Sequence, residues 1–354
     1  MSLSQLRVAV IGAGAISRLQ HLVGWAQLPE ARLVGLAEVS PDALHAAADE
    51  FAIPRRETDY RALLDDDGID VIDVCVPSAL HAEVSIAALQ AGKHVLCEKP
   101  MATSRAGAAG MLAAQRAAGK KLMIAQHMRF DPSVLALRGF APPESLGTVY
   151  YARAQWLRRR RLPGRPGFTQ KRLSGGGALF DIGVHVLDLA WWLMGCPRPL
   201  TASGGAFDHL ARRGDLGTEW GSWDPATIDV EDFAAGLLRF EGGGLLCLES
   251  SWLGLQAKVD VARLQVYGTR LGFVWPECRL FGETAGHPWD IQLSWPPGDR
   301  PHREAIRQFA HALLDDRPVP IPPEQSANGI AMLEALYRSA ERHSEQPVEA
   351  FDAV

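Results

Sequence analysis

The 354-residue sequence is poor in cysteine. Five are scattered along it (Cys75, Cys97, Cys196, Cys247, Cys278), and no pair stands at a metal-ligand spacing. An odd, dispersed set offers no disulfide framework; it fits reduced thiols in a cytosol, and no metal site is expected. Long apolar runs are also missing: none approaches the ~18 residues of a membrane-spanning helix. The run Arg7–Ile11 is too short for the apolar core of a signal peptide. A surplus of positive charge is absent too, since the net charge is -5, so no broad basic face is expected to attract nucleic acid. There is no internal repeat and no low-complexity tail. These absences point to a cytoplasmic globular protein whose partner is a small molecule, with neither nucleic acid nor membrane involved. The 47% hydrophobic content is enough to bury the cores of about two domains at roughly 150 residues each.

Residues 6 to about 127 alternate short β-rich runs with helical patterns. Strands are expected at Arg7–Ile11, Leu33–Glu38, Asp70–Val76, Lys93–Cys97 and Lys121–Ala125. Helices are expected near Ile16–Leu28, from Pro41 to about Phe51, at Ala79–Ala91, and from Ser104 to about Ala118. Such alternation builds right-handed βαβ units and a parallel sheet. Beyond residue 128 the rhythm breaks at Asp131-Pro132 and Ala141-Pro-Pro143. Thr148–Leu157 reads as a strand. Phe233–Phe240 and Leu245–Trp252 read as a hairpin around Glu241-Gly-Gly-Gly244, and Ala262–Tyr267 with Phe273–Trp275 as another. Helices are expected at 178–194, Glu304–Leu314 and Ser326–Arg342, and loops at 203–228 and 279–302. The expected division is 1–127 and 128–354, with the C-terminal helix free to pack back on the first domain.

Gly12-Ala13-Gly14-Ala15-Ile16-Ser17 follows the first strand and opens a helix. This is the dinucleotide pattern G-x-G-x-x-G with Ser17 in the third place. Gly12 permits the tight turn, Gly14 lets backbone approach a pyrophosphate, and Ala15 and Ile16 open the helix whose N-terminus faces it. A plain βα turn is the alternative. Glu38 ends the next strand, 24 residues after Gly14, where an acid hydrogen-bonds ribose hydroxyls. No cation follows it, so NAD is favoured over NADP. Pro77, Ser78 and His81 follow the third strand, and Glu98 and Lys99 follow the fourth, at the carboxyl ends where such sheets bind ligands. Pro100 restricts Lys99, which fits a pre-aimed lysine.

Asp181, His185 and Asp188 stand at i, i+4 and i+7 on a helix that is otherwise apolar. Burying two carboxylates and an imidazole asks for pairing or for chemistry. The alternatives are an acid/base site and a satisfied structural network. Arg158–Arg161, with Arg165, is the one dense basic run; it is either a solvated loop or a group that attracts an anionic substrate.

Taken together, the motifs Gly12-Ala-Gly-Ala-Ile-Ser17, Val76-Pro-Ser-Ala-Leu-His81, Gly92–Pro100 and Gly175–Asp188 resemble the Gfo/Idh/MocA family of oxidoreductases over nearly the whole chain. His127-Met-Arg129-Phe130-Asp-Pro132 is similar to the family's segment at the domain junction. Here His127 and Arg129 either line the substrate pocket or staple the domains.

The resemblance implies an α/β Rossmann domain followed by an α+β domain with a large open, mostly antiparallel sheet, assembled as a homodimer or homotetramer. It implies NAD-dependent hydride transfer at a secondary alcohol or ketone of a sugar, cyclitol or related polyol. The alternatives are an NAD-assisted glycosidase, a cofactor-recycling oxidoreductase, or a non-catalytic NAD-sensing regulator. It further implies a catalytic group on Lys99, Asp181 and His185; Asp188, farther along the helix, is read from its position as a structural support. In that group His185 would be the general base, Asp181 its orienting partner, and Lys99 the donor to the substrate oxygen. Glu38 stands where the family more often has Asp.

Overall fold

The computed structural model of the chain describes residues 5–352. Its contacts divide the chain into two units: Met1–Phe130 with Asp299–Ala327, and Asp131–Gly298 with Asn328–Val354. A single cut near residue 127 therefore does not describe the domains, because a late segment returns to the first unit.

In the first unit six parallel strands form one sheet: β1 (Leu6–Ile11), β2 (Ala31–Ala37), β3 (Arg55–Glu57), β4 (Val71–Val74), β5 (His94–Cys97) and β6 (Leu122–Ile124), in the order β3-β2-β1-β4-β5-β6. All four residues of β4 are buried, as expected of a central parallel strand covered on both faces. Asp73 is the exception within it, a carboxylate fully buried mid-strand. Helix starts follow local chemistry: Ser40 Oγ accepts from the Ala43 amide before Pro41–Glu50, and Ser104 Oγ accepts from Gly107 before Arg105–Ala118. The helix after the glycine turn is not uniform; Ser17–His21 is a wide π-helical turn and Leu22–Ala26 is α-helical. The returning helix Pro301–Leu314 buries Ala305, Ile306, Phe309, Ala310 and Leu313 in the same core as Val8, Leu22, Trp25 and Leu36. It belongs to the first unit's core, the kind of packing back that the sequence division left open for a C-terminal helix.

The second unit is built on a nine-stranded sheet. Its strands are β7 (Val149–Arg158), β8 (Pro199–Phe207), β9 (Phe233–Phe240), β10 (Leu245–Ser251), β11 (Asp260–Gly268), β12 (Leu271–Trp275), β13 (Arg279–Thr284), β14 (His287–Gln292) and β15 (Gln346–Pro347). The order is β14-β13-β12-β11-β7-β10-β9-β8-β15, antiparallel except for β7 beside β10. Both expected hairpins are present. The loops expected at 203–228 and 279–302 are partly strand: β8 runs into the first, and β13–β14 form a hairpin in the second, joined at Ala285-Gly286 with positive φ at both residues.

The helix with the polar stripe begins as a π-helical turn, Leu179–Gly183, and continues as α-helix over Val184–Leu193. By length and composition, Lys171–Leu193 is long and apolar enough to cross a membrane, which corrects the sequence reading that no run came near. However, 83% of its apolar window is buried inside the protein, the condition of a core helix.

Candidate functional site

The glycine turn meets two constraints, and they fall on different residues. Gly12 has φ +101°, and a Cβ there would lie 2.5 Å from the Cys75 carbonyl oxygen at the end of β4. Only glycine fits that crossing. Gly14 is different: a Cβ on it would meet nothing within 4 Å. The space above Gly14 is thus an open cradle, with Ala15 and Ile16 exposed beside it and no side chain capping the helix start. The backbone donors of that start suit an anionic diphosphate. Glu38 curls back to this turn; its Oε2 accepts from the Ala13 amide at 2.8 Å and its Oε1 from the Ser40 amide at 3.1 Å. Its carboxylate is therefore fixed next to the cradle, where it can accept from ribose hydroxyls. Pro77 is exposed and Ser78 half-buried past the end of β4, so both are open to a ligand. A dinucleotide fits these residues.

His81 and Glu98 turn inward instead. The ring of His81 is buried, with Nδ1 2.7 Å from the Pro100 carbonyl and Nε2 2.9 Å from the Val76 carbonyl. Burial lowers its pKa. Both nitrogens lie against backbone carbonyls, and the neutral ring donates to one of them, so His81 braces the two loops at the sheet edge. Glu98 is buried too; its Oε2 accepts from the backbone amide of Lys99 at 3.0 Å, and its Oε1 lies 2.8 Å from His21 Nε2. The other ring nitrogen of His21 lies 2.8 Å from Asp73, which also accepts from Trp25 Nε1 at 2.6 Å. Ionised carboxylates only accept, so both nitrogens of His21 must donate and the ring must be an imidazolium. Burial alone would drive its pKa down, but Asp73 outweighs that and raises it well above the ordinary histidine value. Glu98 is held well below the usual carboxylate range: its burial opposes this, and His21 overcomes the opposition. Lys99 itself is half-buried at the end of this chain of bonds.

No sequence motif marked His21 or Asp73. The available signal was one apolar strand, Val71–Val74, interrupted by a carboxylate that must find a partner. His21, Asp73 and Cys75 also bring three metal-type donor atoms within 4.8 Å of one another. His21 and Asp73 in this set are already joined by a 2.8 Å hydrogen bond, and burial pushes the Cys75 thiol up to about 12.

Behind Glu98 two further imidazoles stack. His127 and His302, on the returning helix, have ring centroids 3.5 Å apart at 18°. Burial lowers His127 to about 3 and His302 to about 4. Arg129 is buried and donates to Gln325 Oε1 at 2.5 Å, within the first unit.

The second unit carries Asp181 and His185. Asp181 Oδ2 accepts from Trp252 Nε1 at 2.9 Å, and the ring of His185 lies 5.6 Å from that of Trp156. Asp188 is buried two turns along. Glu231, which sequence reasoning missed, anchors the start of this helix: its carboxylate accepts from the amides of Gly177 and Leu179 and from the Tyr337 hydroxyl, at 2.8–2.9 Å. A Cβ on Gly177 would collide with the Glu231 carbonyl, so the glycine run is what lets the anchor close. Of the arginine run, Arg161 pairs with Glu219 and Asp260, and Arg160 donates to the Gly217 carbonyl. Only Arg158 is buried.

Two domain models of known families match this chain. Residues 6–126 match the oxidoreductase family with the NAD-binding Rossmann fold, and residues 136–274 match the GFO/IDH/MocA C-terminal domain. The chain is 32% identical over 342 residues to D-glucoside 3-dehydrogenase of Escherichia coli, covering 96% of this chain and 97% of that one. It is 28% identical over 292 residues to levoglucosan dehydrogenase of Pseudarthrobacter phenanthrenivorans, covering 75% and 72%. The solved structure of an oxidoreductase domain protein from Kribbella flavida superposes with a TM-score of 0.85 at 26% identity, over 98% of this chain and 99% of that one.

The glycine contrast predicts opposite phenotypes. Gly12→Ala is expected to destabilise the fold by about 2 kcal/mol or more, seen as a lower urea midpoint. Gly14→Ala should leave the midpoint unchanged and weaken NADH binding, read by fluorescence titration. The histidine cluster contributes two opposing pH dependences to stability that meet near pH 6.5. Below it, the unfolded chain takes up protons on His127 and His302 that the folded chain refuses until about pH 4, so stability falls with pH. Above it, the folded chain keeps a proton on His21 that the unfolded chain releases, so stability falls as pH rises toward the raised His21 value. Each limb should slope by on the order of 1 kcal/mol per pH unit per histidine. His302→Phe should flatten the acid limb alone in thermal melts across pH.

Proposed function

The chain belongs to the Gfo/Idh/MocA family of NAD-binding oxidoreductases, and we propose that it oxidises a secondary hydroxyl of a sugar or related polyol with NAD, or runs the reverse reduction. The observation that carries this reading is the pairing of an open dinucleotide cradle at Gly14 with an intact Lys99, Asp181 and His185. A sensor of NAD would need the cradle but not the proton-handling residues.

When bound, the dinucleotide supplies the hydride acceptor. This chain's residues handle the proton. His185 takes the proton from the substrate hydroxyl as the general base. Asp181, held by Trp252, orients the imidazole and balances its charge once protonated. Lys99 donates to the substrate oxygen as negative charge builds on it. The buried His21–Glu98 bond supports this by fixing the backbone amide of Lys99. NAD is preferred over NADP because Glu38, fixed beside the turn, would face a 2′-phosphate with like charge. The names of the relatives support a sugar substrate. The same reading includes homo-oligomeric assembly, on the family resemblance, and a cytoplasmic setting, on five free cysteines.

Screening sugars and polyols for NADH formation by absorbance tests the reading. On the substrate found, His185→Ala and Lys99→Ala should each lower kcat by about 10²- to 10⁴-fold while NADH affinity stays within about threefold. Unchanged kcat in both variants would refute the assignment. NAD should exceed NADP in kcat/KM by about tenfold or more, and Glu38→Ala should narrow that ratio.

A further inference from the structure

Arg158 ends β7 and is only 8% exposed. A guanidinium stays charged at any physiological pH and has five N–H donors to place. Two indoles pack on it: the guanidinium carbon lies 4.9 Å from the Trp156 ring centroid and 4.7 Å from that of Trp220. Stacking uses the faces and leaves the edge, where hydrogen bonds form. The edge is scarcely used. Asp260 Oδ2 stands 3.5 Å from Nε, and that oxygen already accepts from Arg161 at 2.6 Å. Nε is buried without a hydrogen-bond partner at normal distance; Asp260 approaches it only at 3.5 Å. Burying such a donor set unsatisfied is costly.

The surroundings say what the missing partner is. Trp156, which stacks on Arg158, is the same indole that lies 5.6 Å from His185. Burial pulls the pKa of Arg158 down, and the carboxylate of Asp181, ahead of that of Asp260, opposes the pull. The guanidinium thus belongs to the neighbourhood of Asp181 and His185. Local charge does not favour an anion. Against Arg158 and Arg161 stand three carboxylates: Asp181, Asp260 and Glu219. A neutral ligand rich in acceptor oxygens satisfies the donors without adding a fourth negative charge. Trp220, 44% exposed, offers an aromatic surface at the rim on which the C–H face of a sugar ring can lie.

We propose that the edge of Arg158 is a substrate-recognition group for a neutral pyranose, donating to ring or hydroxyl oxygens beside the carbon that His185 serves, with Trp220 covering the same sugar. This rests on the dehydrogenase reading above for the role of His185. It replaces the anion-attracting role considered for the arginine run.

Calorimetric titration in the presence of NADH, with methyl glucoside as the neutral probe and methyl glucuronide as its anionic counterpart, tests the proposal without requiring turnover. The wild-type protein should bind the glucoside, and the glucuronide no more tightly. Arg158→Met should weaken glucoside binding tenfold or more with the melting temperature and NADH affinity unchanged, and Arg158→Lys should recover part of the loss. If the Met variant folds poorly, Trp220→Ala provides the second test, with weaker glucoside binding expected. In turnover the loss should appear in KM with kcat nearly preserved. Glucoside affinity unaltered in Arg158→Met and Trp220→Ala, a tenfold preference for the glucuronide, or no binding of either sugar to wild type would each overturn the proposal. Arg158-dependent binding with no NADH formed from any sugar would overturn the dehydrogenase reading and leave this subsite standing.

Discussion

The first unit depends on one buried ion group. His21, two turns past the glycine loop, is clamped between Asp73 of the central strand β4 and Glu98 at the end of β5. Three elements that would otherwise be joined by apolar contact alone are thereby fixed in register with one another. Asp73 has Trp25 as a second donor, and Glu98 has the Lys99 amide. Removing any one member would leave an uncompensated charge in a fully buried place, which is far costlier than losing a surface pair. Apolar side chains could have filled the same volume. What they could not do is hold the backbone ahead of Lys99 at one height and angle, since apolar packing is not directional.

The second unit solves its positioning problem differently. Its polar helix is also anchored at the start by a buried carboxylate, but Glu231 accepts from backbone amides of the glycine run and from Tyr337. Both the helix after the dinucleotide turn and the helix bearing Asp181 open with a π-helical turn. Such turns are uncommon and cluster at working sites. At Asp181 the widened turn changes which faces of the helix Asp181 and His185 share, so the α-helical spacing used to read the stripe holds only for the part beyond Gly183.

The sequence made legible what is local. Runs such as Val8–Ile11 and Val71–Val74 read as buried parallel strands because every residue but one is apolar. The glycine turn, the helix starts at Pro41 and Ser104 and the two hairpins of the second unit read directly from turn and cap chemistry. What stayed hidden was long-range. Arg55–Glu57 is too short and too charged to look like a strand until β2 pairs with it. His81 and Glu98 sit at the right chain positions for cofactor contact, but partners 19 and 77 residues away turn them inward. His21 and Asp73 are 52 residues apart and belong to no motif, so their bond could not be read along the chain. Arg158 was visible only as part of a charge run; its neighbours Arg160 and Arg161 are spent on loop carbonyls and carboxylates, and burial separates it from them.

The returning segment Asp299–Ala327 has a bearing on how the protein is made. The core of the first unit includes Ile306, Phe309, Leu313 and Ile321, and His302 stacks on His127. As the chain leaves the ribosome, all six strands of the first sheet emerge before any of these residues exists. The nascent sheet must therefore wait, with the faces of Leu22 and Trp25 uncovered, while eight of the second unit's nine strands, β7 to β14, are synthesised. The second unit waits in turn for Asn328–Val354, which carries β15 and emerges last. A gene cut anywhere between residues 130 and 299 yields a first half with an open seam, and the shortest piece able to seal it reaches beyond residue 321.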